Sequence, residues 1–544
     1  MVRIDNFTCA RLHTARQTKA LETLMAAKLP PHELMQRAGE AVARLAKALA
    51  PHARCIWIAC GPGNNGGDGL TAACALSPWA ALTGTQLVVT WEGDEQRMPP
   101  DARNALEQVR LAGITLSSRP PAECDLVIDA VLGLGMTGSA RTPRIGQLIE
   151  QVNTLGRTRL CVDTPSGLDA DTGKYLIAKT PVPSSDKTIF TLTLLTLKPG
   201  LFTADGRDRA GQVWFDDLGA STFEEQHGAA VANREAAESA WLGSARQVTG
   251  NCRVSNKPIS RSHNSHKGSQ GDVWVVGGQH ASHNGSGMTG AAVLSARAAL
   301  HQGAGRVFVV PLGKPMVAWD GSQPELMFRS TESLDHTETM RSGCWVCGCG
   351  GGDLIREYIP ALLLHTGFLV LDADALNAIS RDPQLIEAVV ARANRGQTTV
   401  MTPHPLEAAR LCGASTADIQ SDRLAHAREI AKRYRSICVL KGSGTVVATS
   451  GGTVVVNTSG NAALATAGTG DVLAGMLGAA LARLSTHEGQ TQLAQSEKDH
   501  ATLDAVTRTV WLHGCAADKW PKDGPTLTAS RLCRSLNPDG TALD

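Results

Sequence analysis

Aromatic side chains are scarce: Phe, Trp and Tyr make up 4% of the 544 residues, with only three tyrosines. Small-residue turns and close backbone approach therefore matter more than aromatic cores. Neither charge is in excess, since 52 Lys and Arg face 51 Asp and Glu for a formal net charge of +1. A dominant non-specific nucleic-acid role needs a basic surplus and is disfavoured. No run reaches the roughly 18 apolar residues that a transmembrane helix needs. Residues 1–16 carry charges but no apolar centre, which argues against a secretory signal. The expectation is a cytoplasmic protein with no membrane and no nucleic-acid partner.

What is present is ordinary globular chemistry, 42% apolar and 19% charged. The length suits two large α/β domains, or three to four units of roughly 150 residues. Several of the 14 cysteines, among them Cys55, Cys60, Cys161 and Cys438, sit in apolar runs where Cys acts as a small hydrophobe. Free thiols in a reducing compartment follow. Cys344 and Cys347 have C-x-x-C spacing, with Cys349 beside them. No second pair or nearby His completes a tetrahedral metal site, so the reading is a glycine-rich loop at a strand end.

Short apolar runs alternate with helical stretches in two long segments, the pattern of parallel sheets covered by helices. In the first, strands are expected at 55–60, 86–91, 126–131, 160–163 and 188–195. A helix over 31–50 places Leu34, Ala38, Ala41, Val42, Leu45 and Leu49 on one face. In the second, strands are expected at 273–276, 306–310, 368–371, 398–401, 437–440 and 444–448. Helices fit 291–300, 405–411, 425–434 and 471–484. Between the segments, residues 221–265 are polar and weakly periodic, a linker with a short helix near 234–242.

Directly after the strand at 55–60 comes Gly61-Pro-Gly-Asn-Asn-Gly-Gly-Asp-Gly69, followed by a helix-compatible stretch over 70–76. Gly61, Gly63 and Gly66 match G-x-G-x-x-G, in which a tight turn and a helix N-terminus receive a phosphate. Alone this match is weak. Asn64, Asn65 and Asp68 add polar oxygens, though Asp68 also fits a helix cap. Asp129 ends the next strand but one and precedes a second glycine loop, Gly133 to Gly138. A third strand ends in Asp163-Thr-Pro-Ser166-Gly. Ligands bind beyond the carboxyl ends of parallel strands, so Asn65, Asp129, Asp163 and Ser166 can converge.

These strings, with Leu34-Met-Gln-Arg-Ala-Gly39, resemble the YjeF N-terminal domain, the NAD(P)H-hydrate epimerase family, over about the first 220 residues. The resemblance implies a Rossmann-like three-layer fold. It implies that Asn64, Asn65, Gly66, Gly67, Asp68, Gly133, Leu134, Gly135, Met136, Thr137, Gly138, Ser139 and Asp163 line the hydrate site. Asn65, Asp129 and Ser166 would hold potassium, with Asp129 catalytic. Inverting a hydroxyl-bearing ring carbon needs a proton donor and acceptor, a task that suits a carboxylate.

The most informative stretch of the second segment is Gly460 to Gly475, where Gly468-Thr469-Gly470 opens an apolar helix at Asp471. Backbone N–H groups at a helix start form an anion hole. An acidic group beside that hole makes sense if it deprotonates a hydroxyl attacking a phosphoryl group. No Walker A string is present. Thr402-Pro-His404-Pro-Leu406-Glu407 and Lys441-Gly-Ser-Gly-Thr445 follow strands, and a Lys point charge with a glycine loop suits nucleotide phosphates. Asp372 and Asp374 read as strand-end turn residues.

Together these motifs resemble the ribokinase-like ADP/ATP-dependent NAD(P)H-hydrate dehydratase family over 267–517. The resemblance implies that Ala291, Gly350, His404 and Asp471 contact the hydrate, with Asp471 as catalytic base. Lys441, Gly442, Ser443, Gly444, Thr445 and Gly470 would contact the nucleotide, which brings magnesium. Two departures stand out: the usual G-P-G reads Gly348-Cys349-Gly350, and H-P-G-E reads His404-Pro405-Leu406-Glu407.

The expected architecture is α/β throughout: an epimerase domain over 1–222, a linker over 223–265 and a dehydratase domain over 266–544. The expected chemistry is repair of NADHX and NADPHX, with epimerisation of R and S forms and nucleotide-dependent dehydration of the S form. A homo-oligomer, and ADP rather than ATP, are the accompanying expectations. Three other readings are weighed: a small-molecule kinase with a regulatory N-terminal domain, a non-catalytic nucleotide sensor, and an NAD-dependent dehydrogenase. The last leaves Asn65, Asp129 and Ser166 without a task.

Overall fold

The structure, a computed structural model, describes residues 1–134, 142–156, 158–177, 188–227, 240–243, 263, 265–314, 319–486 and 495–536. The chain forms two compact units, Met1–Asp5 with Arg11–Ala240 and Asn6–Ala10 with Trp241–Asp544. Both are α/β. No described helix is long and apolar enough to cross a membrane.

The first unit is built on a seven-stranded sheet. Its order is Val2–Arg3, Gln212–Asp216, Thr188–Leu194, Thr158–Val162, Leu126–Ala130, Cys55–Cys60 and Gln86–Trp91. All pairings are parallel except that of Val2–Arg3. Alternation along Cys55–Cys60 sends Ile56, Ile58 and Cys60 to one face, where they join the buried side of helix Glu33–Leu49. Trp57 and Ala59 point the other way, onto Ile145, Leu148 and Ile149 of helix Pro143–Thr154. Both faces are covered, so three layers result. Full burial of a side chain such as Ile58 contributes about 1.5–3 kcal/mol. The chain runs outward from Cys55–Cys60 to Gln86–Trp91, then returns to place Leu126–Ala130 on the other side. That reversal opens a crevice at the carboxyl ends of Cys55–Cys60 and Leu126–Ala130.

The second unit repeats the scheme. Its sheet runs Met327–Phe328, Arg306–Pro311, Asp272–Gly277, Cys344–Cys347, Phe368–Leu371, Thr398–Met401 and Ile437–Leu440, then turns antiparallel through Val446–Ala448 and Val454–Asn457. Here the reversal lies between Asp272–Gly277 and Cys344–Cys347. Within this sheet Trp274 stacks on Phe308 at 4.1 Å and on Trp345 at 4.8 Å between ring centroids. Helix Thr469–Thr486 is apolar nearly all round and buried. A Cβ at Gly475 would meet the Ser295 carbonyl oxygen at 1.9 Å, so glycine lets this helix close onto helix Thr289–His301.

Some local expectations change. The helix expected over 70–76 is Asn64–Thr83, so the Asn-Asn-Gly-Gly-Asp string forms its first turns rather than a loop. The predicted strand at 444–448 shortens to Val446–Ala448. The short helix expected near 234–242 is overturned at its end, because Ala240–Gly243 is a strand whose alternation buries Ala240 and Leu242. Asn6 belongs to the second unit: its carbonyl accepts from Trp511 Nε1 at 2.8 Å and Thr458 Oγ1 at 3.0 Å. The thirteen described cysteines are free. Cys344 and Cys347 lie an odd number of residues apart in one strand and so face opposite sides of the sheet.

Candidate active sites

In the first unit, Asp129, next to last in its strand, is 2% exposed. Ser166 N donates to its Oδ2 at 3.0 Å, and Ser166 Oγ donates to its Oδ1 at 2.5 Å. Leu132 N donates to Ser166 Oγ at 2.8 Å, which ties the two strand-end loops together. Asn65, in the first turn of helix Asn64–Thr83, is 8% exposed, and neither its Oδ1 nor its Nδ2 has a hydrogen-bond partner. A Cβ at Gly133 would come 3.1 Å from Asn65 Cβ, so the second glycine loop lies directly on this residue. Buried polar atoms are rarely left unpaired, and a buried amide oxygen in want of a partner suits a bound cation. Three hard oxygen donors without sulfur or imidazole fit an alkali or alkaline-earth ion.

Asp163 sits close by at a positive φ of 64°, a strained conformation for a non-glycine residue. Leu194 N donates to its Oδ1 at 3.0 Å, and the ammonium of Lys198 donates to the same oxygen. Lys198 is wholly buried and also donates to Leu194 O at 2.6 Å. Burial, then the carboxylates of Asp163 and Glu22, push the Asp68 carboxyl well above its ordinary value. Burial and Asp163 likewise raise Glu22, which accepts from Asn64 Nδ2 at 3.5 Å. The strand-end logic finds Asn65, Asp129, Asp163 and Ser166; the structure bonds Ser166 to Asp129 and lays Gly133 against Asn65, while Asp163 is held by Lys198. Lys198 and Glu22 escape that logic. The one signal for Lys198 is a lone lysine closing the apolar run at 189–197. Gly133 borders the site, whereas Gly135, Met136, Thr137, Gly138 and Ser139 lie outside the described residues. A separate concavity bounded by His32, Met35, Gln36, Thr71, Cys74 and Asp101 contains none of the site residues.

In the second unit, Asp471 occupies the first turn of helix Thr469–Thr486. Burial, then the Asp372 carboxylate, raise its carboxyl to about 6. Asp372 is not a mere turn residue. It is 2% exposed and accepts on one oxygen from Lys441 Nζ at 2.7 Å and Thr402 Oγ1 at 2.6 Å. Burial opposes the Lys441 charge, but Asp372 and Glu407 outweigh it and raise the ammonium. A Cβ at Gly470 would lie 3.3 Å from Lys441 Nζ, so the cation stands over the helix opening. Lys441 N also donates to Pro403 O at 2.9 Å, joining two motif loops.

His404 caps helix Pro405–Cys412. Its Nδ1 accepts from the N–H of Leu406 at 3.1 Å and Glu407 at 3.4 Å, which leaves Nε2 3.2 Å from Glu407 Oε1. Burial raises buried Glu407 to about 7, and burial with Lys441 lowers His404. Gly350 has φ 60°, and a Cβ there would meet Met288 O at 2.6 Å and Ala291 Cβ at 2.9 Å. The Gly350 loop and Ala291 therefore touch. Gly442 has φ 134° and rests on the buried guanidinium of Arg423, which donates to Leu440 O at 3.1 Å and Lys441 O at 3.2 Å. Arg423, unforeseen from sequence, holds the Lys441–Thr445 turn in shape.

Each unit thus carries carboxylates and a glycine-opened helix at the carboxyl ends of parallel strands, and the chain is a two-site α/β enzyme. Residues 31–200 match the YjeF-related protein N-terminus, and residues 273–537 match NAD(P)H-hydrate dehydratase. The bifunctional NAD(P)H-hydrate repair enzyme Nnr of Escherichia coli is 35% identical over 531 residues, 94% of this chain and 90% of that one. Its counterpart in Coxiella burnetii is 30% identical over 522 residues, 94% and 95% of the two chains. A solved ADP/ATP-dependent NAD(P)H-hydrate dehydratase from Bacillus subtilis aligns over 51% of this chain and 91% of its own, at 28% identity and a TM-score of 0.41. The chain belongs to the bifunctional NAD(P)H-hydrate repair enzyme family.

Proposed function

We propose that this chain epimerises the R and S forms of NADHX and NADPHX in its first unit and dehydrates the S form in its second, consuming ADP or ATP. The division of labour follows 1–222 for the epimerase and 266–544 for the dehydratase, with 223–265 as linker. The carrying observation is Asp471, a carboxylate raised to about 6 in the first turn of a helix over which Lys441 stands.

Hydroxide leaves a saturated ring carbon poorly, whereas phosphate leaves well. Asp471 takes the proton of the hydrate hydroxyl as its oxygen attacks the terminal phosphoryl group of the nucleotide. A general base of this kind contributes about 10²–10⁴-fold. Lys441 and the backbone N–H groups at Gly470 neutralise the charge that develops on the phosphoryl oxygens. The glycine turn Lys441-Gly442-Ser443-Gly444-Thr445 carries the nucleotide, and Ala291, Gly350 and His404 border the hydrate. The carbon–oxygen bond then breaks, phosphate departs and the adjacent ring carbon gives up a proton, restoring dihydronicotinamide. Magnesium, bound with the nucleotide, supplies further charge neutralisation at the phosphates.

In the first unit, Asn65, Asp129 and Ser166 would hold potassium, which supplies a fixed positive charge beside the hydrate. The unpartnered amide of Asn65 supports that assignment. Asp129 exchanges the proton at the reacting centre, and Asn64 to Asp68, Gly133 and Asp163 line the pocket. A cytoplasmic homo-oligomer completes the reading, supported for the compartment by buried free thiols.

The test supplies purified protein with S-NADHX and ADP or ATP. Asp471→Asn should cut dehydration by about 10²-fold or more and leave epimerisation intact. Accumulation of a stable phosphorylated product by the native protein would instead make it a kinase.

A further inference from the structure

Arg423 opens helix Arg423–Arg433, and its side chain is wholly buried. Neither position suits a cation. A positive charge in the first turn of a helix opposes the macrodipole, and a guanidinium taken out of water loses its hydration. Burial lowers the group to about 10, which leaves it charged at neutral pH. For folding alone, an apolar side chain of similar length would avoid both costs.

What the guanidinium touches gives the reason for it. Nη2 donates to Leu440 O at 3.1 Å and to Lys441 O at 3.2 Å, the two residues that lead into the glycine turn. Nη1 donates to Gln420 Oε1 at 2.7 Å, from helix Thr416–Ser421, which fixes the plane of the fork. Gly442 lies directly on this plane. A Cβ there would come 2.9 Å from Nη1 and 3.1 Å from Nη2, and φ 134° is a conformation that favours glycine. Past Gly442, Thr445 Oγ1 donates to Gly442 O at 3.2 Å, and Asn457 N donates to Thr445 O at 2.9 Å. The turn is thus tied to strand Val454–Asn457 on one side and backed by a cation on the other.

We propose that Arg423 is a positioning residue for the nucleotide, fixing the Lys441–Thr445 turn from behind and setting a buried positive charge behind the phosphates that the turn carries. The inference rests on that turn being the nucleotide site. Lys441 donates to Asp372 at 2.7 Å, so part of its charge is already answered by a carboxylate. A second cation behind the turn restores a positive field there. Away from water such a charge is weakly screened and acts across the backbone without touching the ligand.

The experiment measures dehydration of the S hydrate by the full chain, with KM determined separately for the hydrate and for ADP and ATP. In Arg423→Met the nucleotide KM rises about tenfold or more, the scale of one hydrogen bond to a charged group, and the hydrate KM changes little. Loss of folded protein lowers kcat and leaves both KM values alone, so a native nucleotide KM in this variant overturns the proposal. Arg423→Lys keeps the charge, and Arg423→Gln keeps a donor without the charge. The lysine variant has the lower nucleotide KM of the two, which decides the matter if the methionine variant does not fold. A glutamine variant that equals or betters it overturns the proposal. Lys441→Met separates the two ideas. If that variant keeps the native nucleotide KM, the assignment of the turn itself falls. If its KM rises while the Arg423 variants stay native, only the role of Arg423 falls.

Discussion

Single side chains carry most of the chemistry, and they divide by how they are held. Asp129 is next to last in its strand and Asn65 and Ser166 follow theirs, so the direction of a parallel sheet places all three at one edge. Lys198 is different. Its partner Asp163 lies 35 residues away, and no spacing rule links a lysine to a carboxylate at that range. The sheet pairs the strands at Cys161 and Thr191, and the two residues meet beyond the strand ends. Because Lys198 is wholly buried, replacing it by methionine would strand the Asp163 charge. Lys198→Met should cost about 3–5 kcal/mol in urea unfolding of the first unit. A loss below about 1 kcal/mol would mean the pair behaves as an exposed one.

At the level of elements, periodicity found the helices and strands but not where the glycine string belongs. Asn64-Asn-Gly-Gly-Asp reads as loop because glycine is a poor helix former. Packing overrides propensity here. A Cβ at Gly66 would lie 1.9 Å from the Gly61 carbonyl oxygen, and one at Gly67 would strike Met35 and Ala102. Glycines are needed because the helix starts against its own preceding turn and its neighbours. Backbone cannot yield as a flexible side chain can, so Gly66→Ala should shift the helix start and remove epimerisation, read with R-NADHX. Dehydration of the S form should stay native in the same sample. A Gly66→Ala protein that epimerises normally would show that the close approach is dispensable. Arg423 teaches a related lesson: its side chain braces the Lys441 turn from another helix, a relation without a sequence period.

For the whole molecule, one chain with two sites makes a prediction that neither unit makes alone. On a mixed pool of R and S hydrates with excess nucleotide, the native chain should convert all of it. Asp129→Ala should consume the S half at the native rate and then slow to the background exchange between the forms. Complete, unslowed conversion by that variant would take catalysis away from Asp129. The sequence by itself determined the α/β class, the two motif-bearing segments and the strand-end residues. Each of these depends on local order along the chain: apolar runs, glycine turns, and acids placed just after strands. Only the tertiary structure decided that Lys198 clamps Asp163, that Asp372 carries Lys441, and that Arg423 lies behind the Lys441 turn. Those relations are set by which strands become neighbours and by what burial does to charge, and neither is written in the spacing of residues.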